Sequence, residues 1–169
     1  MNITLIGMAG SGKSFVGEKL AKHLGYEFIS PDRLLEKEHG VLLQQVLEKL
    51  GSECFLDAEA EVVISHTKDK DELLISPGGS MIYRTHAMEH LSAVSEIVYL
   101  EVPFETIEQR VGKIPRGIVG LDKMTFRELY ESRLPHYEKW GKIRVRGDQP
   151  PEKVIEDIIS KVNVPVLVH

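Results

Sequence analysis

One segment near the start constrains this chain more than any other: Gly7-Met-Ala-Gly-Ser-Gly12-Lys13-Ser14, set between an apolar run and a stretch of helical periodicity. The run, Asn2 to Ile6, reads as a buried strand; after the turn, Phe15, Leu20, Ala21 and Leu24 recur at helical spacing until Gly25 stops them. A glycine-rich turn between strand and helix lets backbone N–H groups point inward at a polyphosphate, and the helix N-terminus adds partial positive charge. Lys13 is then placed to reach the β- and γ-phosphates as a compact cation, and Ser14 offers its hydroxyl to an accompanying Mg²⁺. Strand on one side and helix on the other is the context that separates this P-loop pattern from a chance glycine turn. Gly10, Ser11, Gly12, Lys13, Ser14 and Phe15 are the candidate nucleotide contacts, and the absence of an Asn-Lys-x-Asp guanine signature points to ATP.

Strands and helices alternate through the rest of the chain. A strand at Glu27 to Ile29 leads to helical stretches at Asp32 to Glu38, Leu42 to Leu50 and Glu53 to Thr67, separated by Gly40 and Gly51. Glu72 to Ser76 reads as a third strand closed by Pro77-Gly78-Gly79, followed by a helix over Thr85 to Leu91 and a fourth strand at Ser95 to Val102. A helix opened by Pro103 runs to Val111, and the glycine-rich stretch Gly112 to Leu121 reads as a mobile loop. Helical spacing returns over Met124 to Lys139, Ile143 to Arg146 forms a fifth strand, and Pro150-Pro151 starts a helix through Val162. This alternation predicts an α/β fold of three layers: a five-stranded, mainly parallel sheet with helices on both faces.

With 169 residues, 42% of them apolar, the expectation is a single domain over 1–169 with one sizeable core. A formal charge of −5 gives no global attraction to nucleic acid or anionic membranes, so a phosphate site has to be local. The single cysteine, Cys54, forms no intrachain disulfide, and no run approaches the roughly twenty apolar residues of a membrane span, so the cytosol is expected. The sequence does not choose between monomer and dimer.

Several further segments resemble the shikimate kinase family of P-loop small-molecule kinases, and the resemblance covers most of the chain. Gly17 to Gly25 is similar to the helix after the family's cradle, and Phe28-Ile-Ser30-Pro-Asp32 stands where the family usually has two aspartates. Gly51-Ser-Glu-Cys-Phe55-Leu56-Asp-Ala-Glu59 resembles its Gly-Glu-x-x-Phe-Arg-x-x-Glu segment; Pro77-Gly78-Gly79 stands at its three glycines; Arg133-Leu-Pro135-His-Tyr137 reproduces its Arg-x-Pro-x-Tyr signature. The resemblance implies transfer of the γ-phosphate of ATP to a hydroxyl of shikimate or a related metabolite, in aromatic amino acid biosynthesis. It further implies that Asp32 and Arg133 hold the acceptor, Gly78 and Gly79 line its pocket, Arg116 lies on a lid at about 112–124, and Arg110 borders the adenine.

Departures from the family pattern cluster at the acceptor. Leu56 replaces a carboxylate-binding arginine, Ser30 replaces the first aspartate, an outer-shell partner of Mg²⁺, Pro77 replaces a glycine, and Gly117 stands where the lid usually has proline. A charge-assisted hydrogen bond contributes about 1.5 to 3 kcal/mol, so one lost arginine weakens carboxylate binding by roughly tenfold to a hundredfold. In the implied chemistry Lys13, Mg²⁺ and Arg116 neutralise the transferred phosphoryl group, while Asp32 accepts the proton of the attacking hydroxyl. Asp32 also suits a helix N-cap after Pro31, and arginines such as Arg116 and Arg133 commonly form surface salt bridges. Two other functions stay open: a P-loop kinase for a sugar acid or nucleotide, and a nucleotide-binding regulatory protein without transfer.

Overall fold

Alternation of side chains along the strands decides which helices cover which face. The computed structural model describes residues 1–112 and 117–163. Strand β1 (Asn2–Ile6) is buried throughout and pairs in parallel with β3 (Leu73–Ile75) and β4 (Ser95–Glu101). β2 (Glu27–Ile29) joins β3 and β5 (Ile143–Arg146) joins β4, so the order β2-β3-β1-β4-β5 is parallel at every pair. Ile3, Leu5, Leu74, Val98, Leu100 and Val145 point to one face, where α1 (Lys13–Leu24) and α8 (Pro151–Val162) supply Val16, Leu20, Val154 and Ile158. Ile6, Leu73, Ile75, Ile97 and Tyr99 point to the other, under α4 (Ser52–Thr67), α5 (Thr85–Val94), α6 (Phe104–Val111) and α7 (Phe126–Trp140).

Between β2 and β3 the chain also inserts α2 (Pro31–His39) and α3 (Leu43–Leu50), which with α4 enclose a separate apolar cluster of Leu35, Val46, Phe55, Leu56 and Val119. Because all strands run the same way, the turns after β1, β2 and β3 emerge at one edge of the sheet, the usual place for a ligand crevice in such folds. Stops follow the glycines: Gly25 and Gly40 cap α1 and α2 in the left-handed region at φ 73° and 68°. α7 starts later than its periodicity suggests, because Thr125 caps it through a box with Glu128. A short 3₁₀ turn at Met81–Tyr83 has no counterpart in the periodicity.

Candidate active site

The cradle forms where β1 turns into α1. Gly10 and Gly12 hold φ of 83° and 93°, a region side chains resist, and a Cβ on Gly10 would lie 2.5 Å from Val111 Cγ2. Ser11 N–H donates to the Met8 carbonyl at 3.0 Å, closing the turn. Lys13 folds back over it, its Nζ donating to the Gly7 and Met8 carbonyls at 2.7 and 3.0 Å. Burial lowers its pKa to about 8, a shift that Asp32 partly offsets. Ser14 and Phe15 are exposed in the first turn of α1, Phe15 at 57%. Arg110, on α6, clasps the cradle from outside: its Nη2 donates to the Gly147 carbonyl at 2.9 Å, and Nη1 lies 3.4 Å from the Gly10 and Ser11 carbonyls.

Opposite the cradle, α2 brings in Asp32. Its N-cap is Ser30, whose hydroxyl accepts from Arg33 N–H, so Asp32 stands inside the first turn and is not the cap. Burial pushes the Asp32 carboxyl upward, against the pull of Lys13. From α7, Arg133 enters the interior at 1% exposure, on the buried stripe Leu129, Arg133, Tyr137. Among the described residues it makes no salt bridge; Nη2 donates to the Val119 carbonyl at 2.7 Å, and the guanidinium lies 5.5 Å from the Tyr83 ring centre. Tyr137 stacks on Tyr99 and donates its hydroxyl to the Gly79 carbonyl at 2.7 Å.

Between these helices lies the Pro77-Gly78-Gly79 turn. A Cβ on Gly78 would meet Glu59 Oε1 at 2.5 Å and Asp32 Oδ1 at 3.1 Å, and one on Gly79 would meet Arg133 Nη1 and Tyr137 OH at 3.0 Å each. Both positions need glycine because polar side chains crowd the backbone. One cleft of about 320 Å³ is lined by Gly10, Gly12, Lys13, Ser14, Phe15, Asp32, Gly78, Gly79 and Arg133 among others. The sequence-predicted contacts therefore converge, apart from Arg110 and the buried Ser11 behind the cradle, and Arg116, which lies outside the described residues.

Several packing details go beyond the sequence reading. Val119 and Gly117 belong to the stretch read as mobile, yet Val119 packs at 8% exposure among the α2–α3–α4 side chains, and Gly117 N–H donates to Gln44 Oε1 at 2.7 Å. Leu56 turns into that same apolar cluster, while Phe55 beside it lines the cleft. Glu59 is fully buried. Its signal was available: it falls four residues after Phe55 and four before Val63, on the apolar stripe of α4. On α5, His90 Nε2 lies 2.8 Å from Thr67 Oγ1, and no cluster of three metal-binding side chains occurs among the described residues.

Residues 9–163 match the family model for shikimate kinase. The chain belongs to the shikimate kinase family. It is 31% identical to the shikimate kinase of Aquifex aeolicus over 94% of both chains, and 33% identical to that of Thermodesulfovibrio yellowstonii over 95% of this chain and 94% of the relative. The crystal structure of the Aquifex aeolicus enzyme superposes with a TM-score of 0.81, covering 96% of each chain. The shikimate kinase of Acinetobacter baumannii, solved in complex with shikimate, superposes at 0.85 with 28% identity, covering 94% of this chain and 90% of that one. The chain is thus an ATP-dependent kinase of the shikimate kinase type, a phosphotransferase with an alcohol group as acceptor. No helix among the described residues is long and apolar enough to cross a membrane.

Proposed function

We propose that this kinase phosphorylates shikimate or a closely related hydroxylated carboxylic acid, with Lys13, Asp32 and Arg116 as the catalytic groups. The observation that carries this reading is the single cleft in which Lys13 and Asp32 face the Gly78-Gly79 turn and the buried Arg133. Arg133 has no carboxylate partner among the described residues, and a buried guanidinium held by one carbonyl retains charge for an anionic ligand. Gly10, Ser11, Gly12, Lys13, Ser14 and Phe15, with Arg110 behind them, form the nucleotide side; Asp32, Gly78, Gly79 and Arg133 form the acceptor side. The lid at about 112–124, with Arg116 on it, completes the single domain.

The chemistry follows from positions. Asp32 takes the proton of the acceptor hydroxyl as that oxygen bonds to the γ-phosphorus and the bond to the β-phosphate oxygen breaks, releasing ADP. Lys13 leaves its two carbonyl partners for the phosphates, exchanging neutral acceptors for charged ones. A Mg²⁺ fits the exposed Ser14 hydroxyl together with substrate phosphates, since this hard cation prefers oxygen ligands and retains several waters. When bound it spreads charge over the phosphate oxygens. Ser30, engaged as a helix cap, offers Mg²⁺ no carboxylate in its outer shell.

An ADP-release assay with ATP and Mg²⁺ tests the reading across shikimate, other hydroxy acids, sugars and nucleosides. Turnover of shikimate or a near relative supports it. Turnover confined to sugars or nucleosides moves the acceptor elsewhere, and nucleotide binding without transfer to any of them contradicts it.

A further inference from the structure

Glu59 is the one fully buried acidic side chain among the described residues, and the mechanism above leaves it unused. It sits in the middle of α4, away from any helix N-terminus that would favour an anion. Oε1 accepts the Gly78 N–H at 2.7 Å; Oε2 is sealed from solvent with no partner. Asp32 Oδ1 approaches the same Gly78, so the two carboxyls meet at one turn, Asp32 on its cleft side and Glu59 sealed behind it. The nearby cations are bonded elsewhere: Lys13 to the Gly7 and Met8 carbonyls, Arg133 to the Val119 carbonyl. Two carboxyls this close, one of them fully buried and neither with an ion-pair partner, do not both ionise. Asp32 is only half-buried and stands in the first turn of α2, where free N–H groups and the helix dipole favour the anion.

We propose that Glu59 is a positioning residue that works as a neutral carboxylic acid: it carries the single proton of the Asp32–Glu59 pair. Asp32 is thereby left ionised to act as the base, and Arg133 is left uncompensated for the acceptor's carboxylate. The inference rests on the acceptor-side roles proposed above. It bears most on this chain because Leu56 leaves Arg133 the only arginine among the described cleft walls. The groups facing Glu59 are Asp32 from α2, Lys13 from α1, and Arg133 and Tyr137 from α7. Glu48 and Lys49 on α3, His86 and Glu89 on α5, and Asp57 and Glu61 on its own helix are exposed, while Arg84 is paired with Glu53 and Asp57. Burial, followed by the Asp32 charge, raises the Glu59 carboxyl well above the usual range, in keeping with this assignment.

The test is a side-chain carboxyl titration by carbon-13 NMR on the full chain, compared with Glu59→Gln and Asp32→Asn, alongside the pH profile of the acceptor KM. Expected are one carboxyl still protonated near neutral pH in the wild type, its absence in Glu59→Gln, and a fall of its midpoint in Asp32→Asn. Glu59→Gln, a neutral isostere that can still accept from Gly78 N–H, keeps kcat within about threefold and loses the alkaline rise in acceptor KM. If every carboxyl is ionised at neutral pH, or if Glu59→Gln abolishes turnover while folded, the proposal is wrong. Should Glu59→Gln fail to fold, the wild-type and Asp32→Asn titrations decide alone. A protonated Glu59 together with full turnover by Asp32→Asn would overturn the base assignment while leaving the Glu59 proton in place.

Discussion

Lys13 in this structure spends its charge on two backbone carbonyls of the cradle it is placed to serve. Lys13→Ala removes a cation aimed at the transferring phosphoryl group, and steady-state kinetics should show kcat lower by about a hundredfold to a thousandfold. Gly78 tests the other side. Its Cβ would fall 2.5 Å from Glu59 Oε1 and 3.1 Å from Asp32 Oδ1, so Gly78→Ala has to displace both carboxyls. The expected result is a rise in acceptor KM of about tenfold or more with ATP KM little changed, measured by varying each substrate in turn. The P-loop residues were legible because strand, glycines and helix declare themselves locally. Asp32 and Arg133 were legible only through resemblance, since spacing alone left a helix cap and a surface salt bridge open. Glu59 was legible as the end of a family-like segment but received no role, because one acidic residue on an apolar stripe looks like an imperfection until the turn it holds is seen.

Helices α2, α3 and α4 enclose the second core that positions the acceptor side, and Leu56 lies within it at 3% exposure. Leu56→Ala leaves a cavity among Leu35, Val46, Phe55 and Val119 and should cost about 2 to 5 kcal/mol in urea unfolding. A change within about 0.5 kcal/mol would mean the cluster is not packed as described. Most element bounds were readable, since the glycines and prolines that end them lie in plain view: Gly25, Gly40, Gly51 and Pro151 all punctuate as read. The packing of Val119 was not, because the sequence over 112–121 shows no periodicity, while Ile118, Val119 and Leu121 bury against helices far away in sequence. Its contacts depend on where α3, α4 and α7 converge.

The whole molecule carries its polar interior at the cleft, so its stability depends on pH through the groups that build the site. Burial, with the Asp32 charge beside it, raises Glu59 to about 8. A carboxyl whose pKa is raised by folding stabilises fully below its unfolded value, and that contribution is lost as pH rises through the folded value. Between about pH 4.5 and 8 the unfolded chain gives up this proton while the folded one retains it, so the contribution shrinks steadily. Chemical denaturation across this window should show the wild type losing stability relative to Glu59→Gln as pH rises; a difference independent of pH would contradict the buried neutral acid. At this scale the parallel sheet was predictable from strand–helix alternation, whereas the acceptor could not be read from composition or from the −5 charge. The central claim is that this kinase selects a carboxylate-bearing acceptor through Arg133, and its most direct test is kcat/KM for shikimate against the uncharged carboxamide of the same ring. The account predicts a preference for the carboxylate of roughly tenfold to a hundredfold in the wild type, lost in Arg133→Ala. Equal turnover of the two acceptors by the wild type would contradict it.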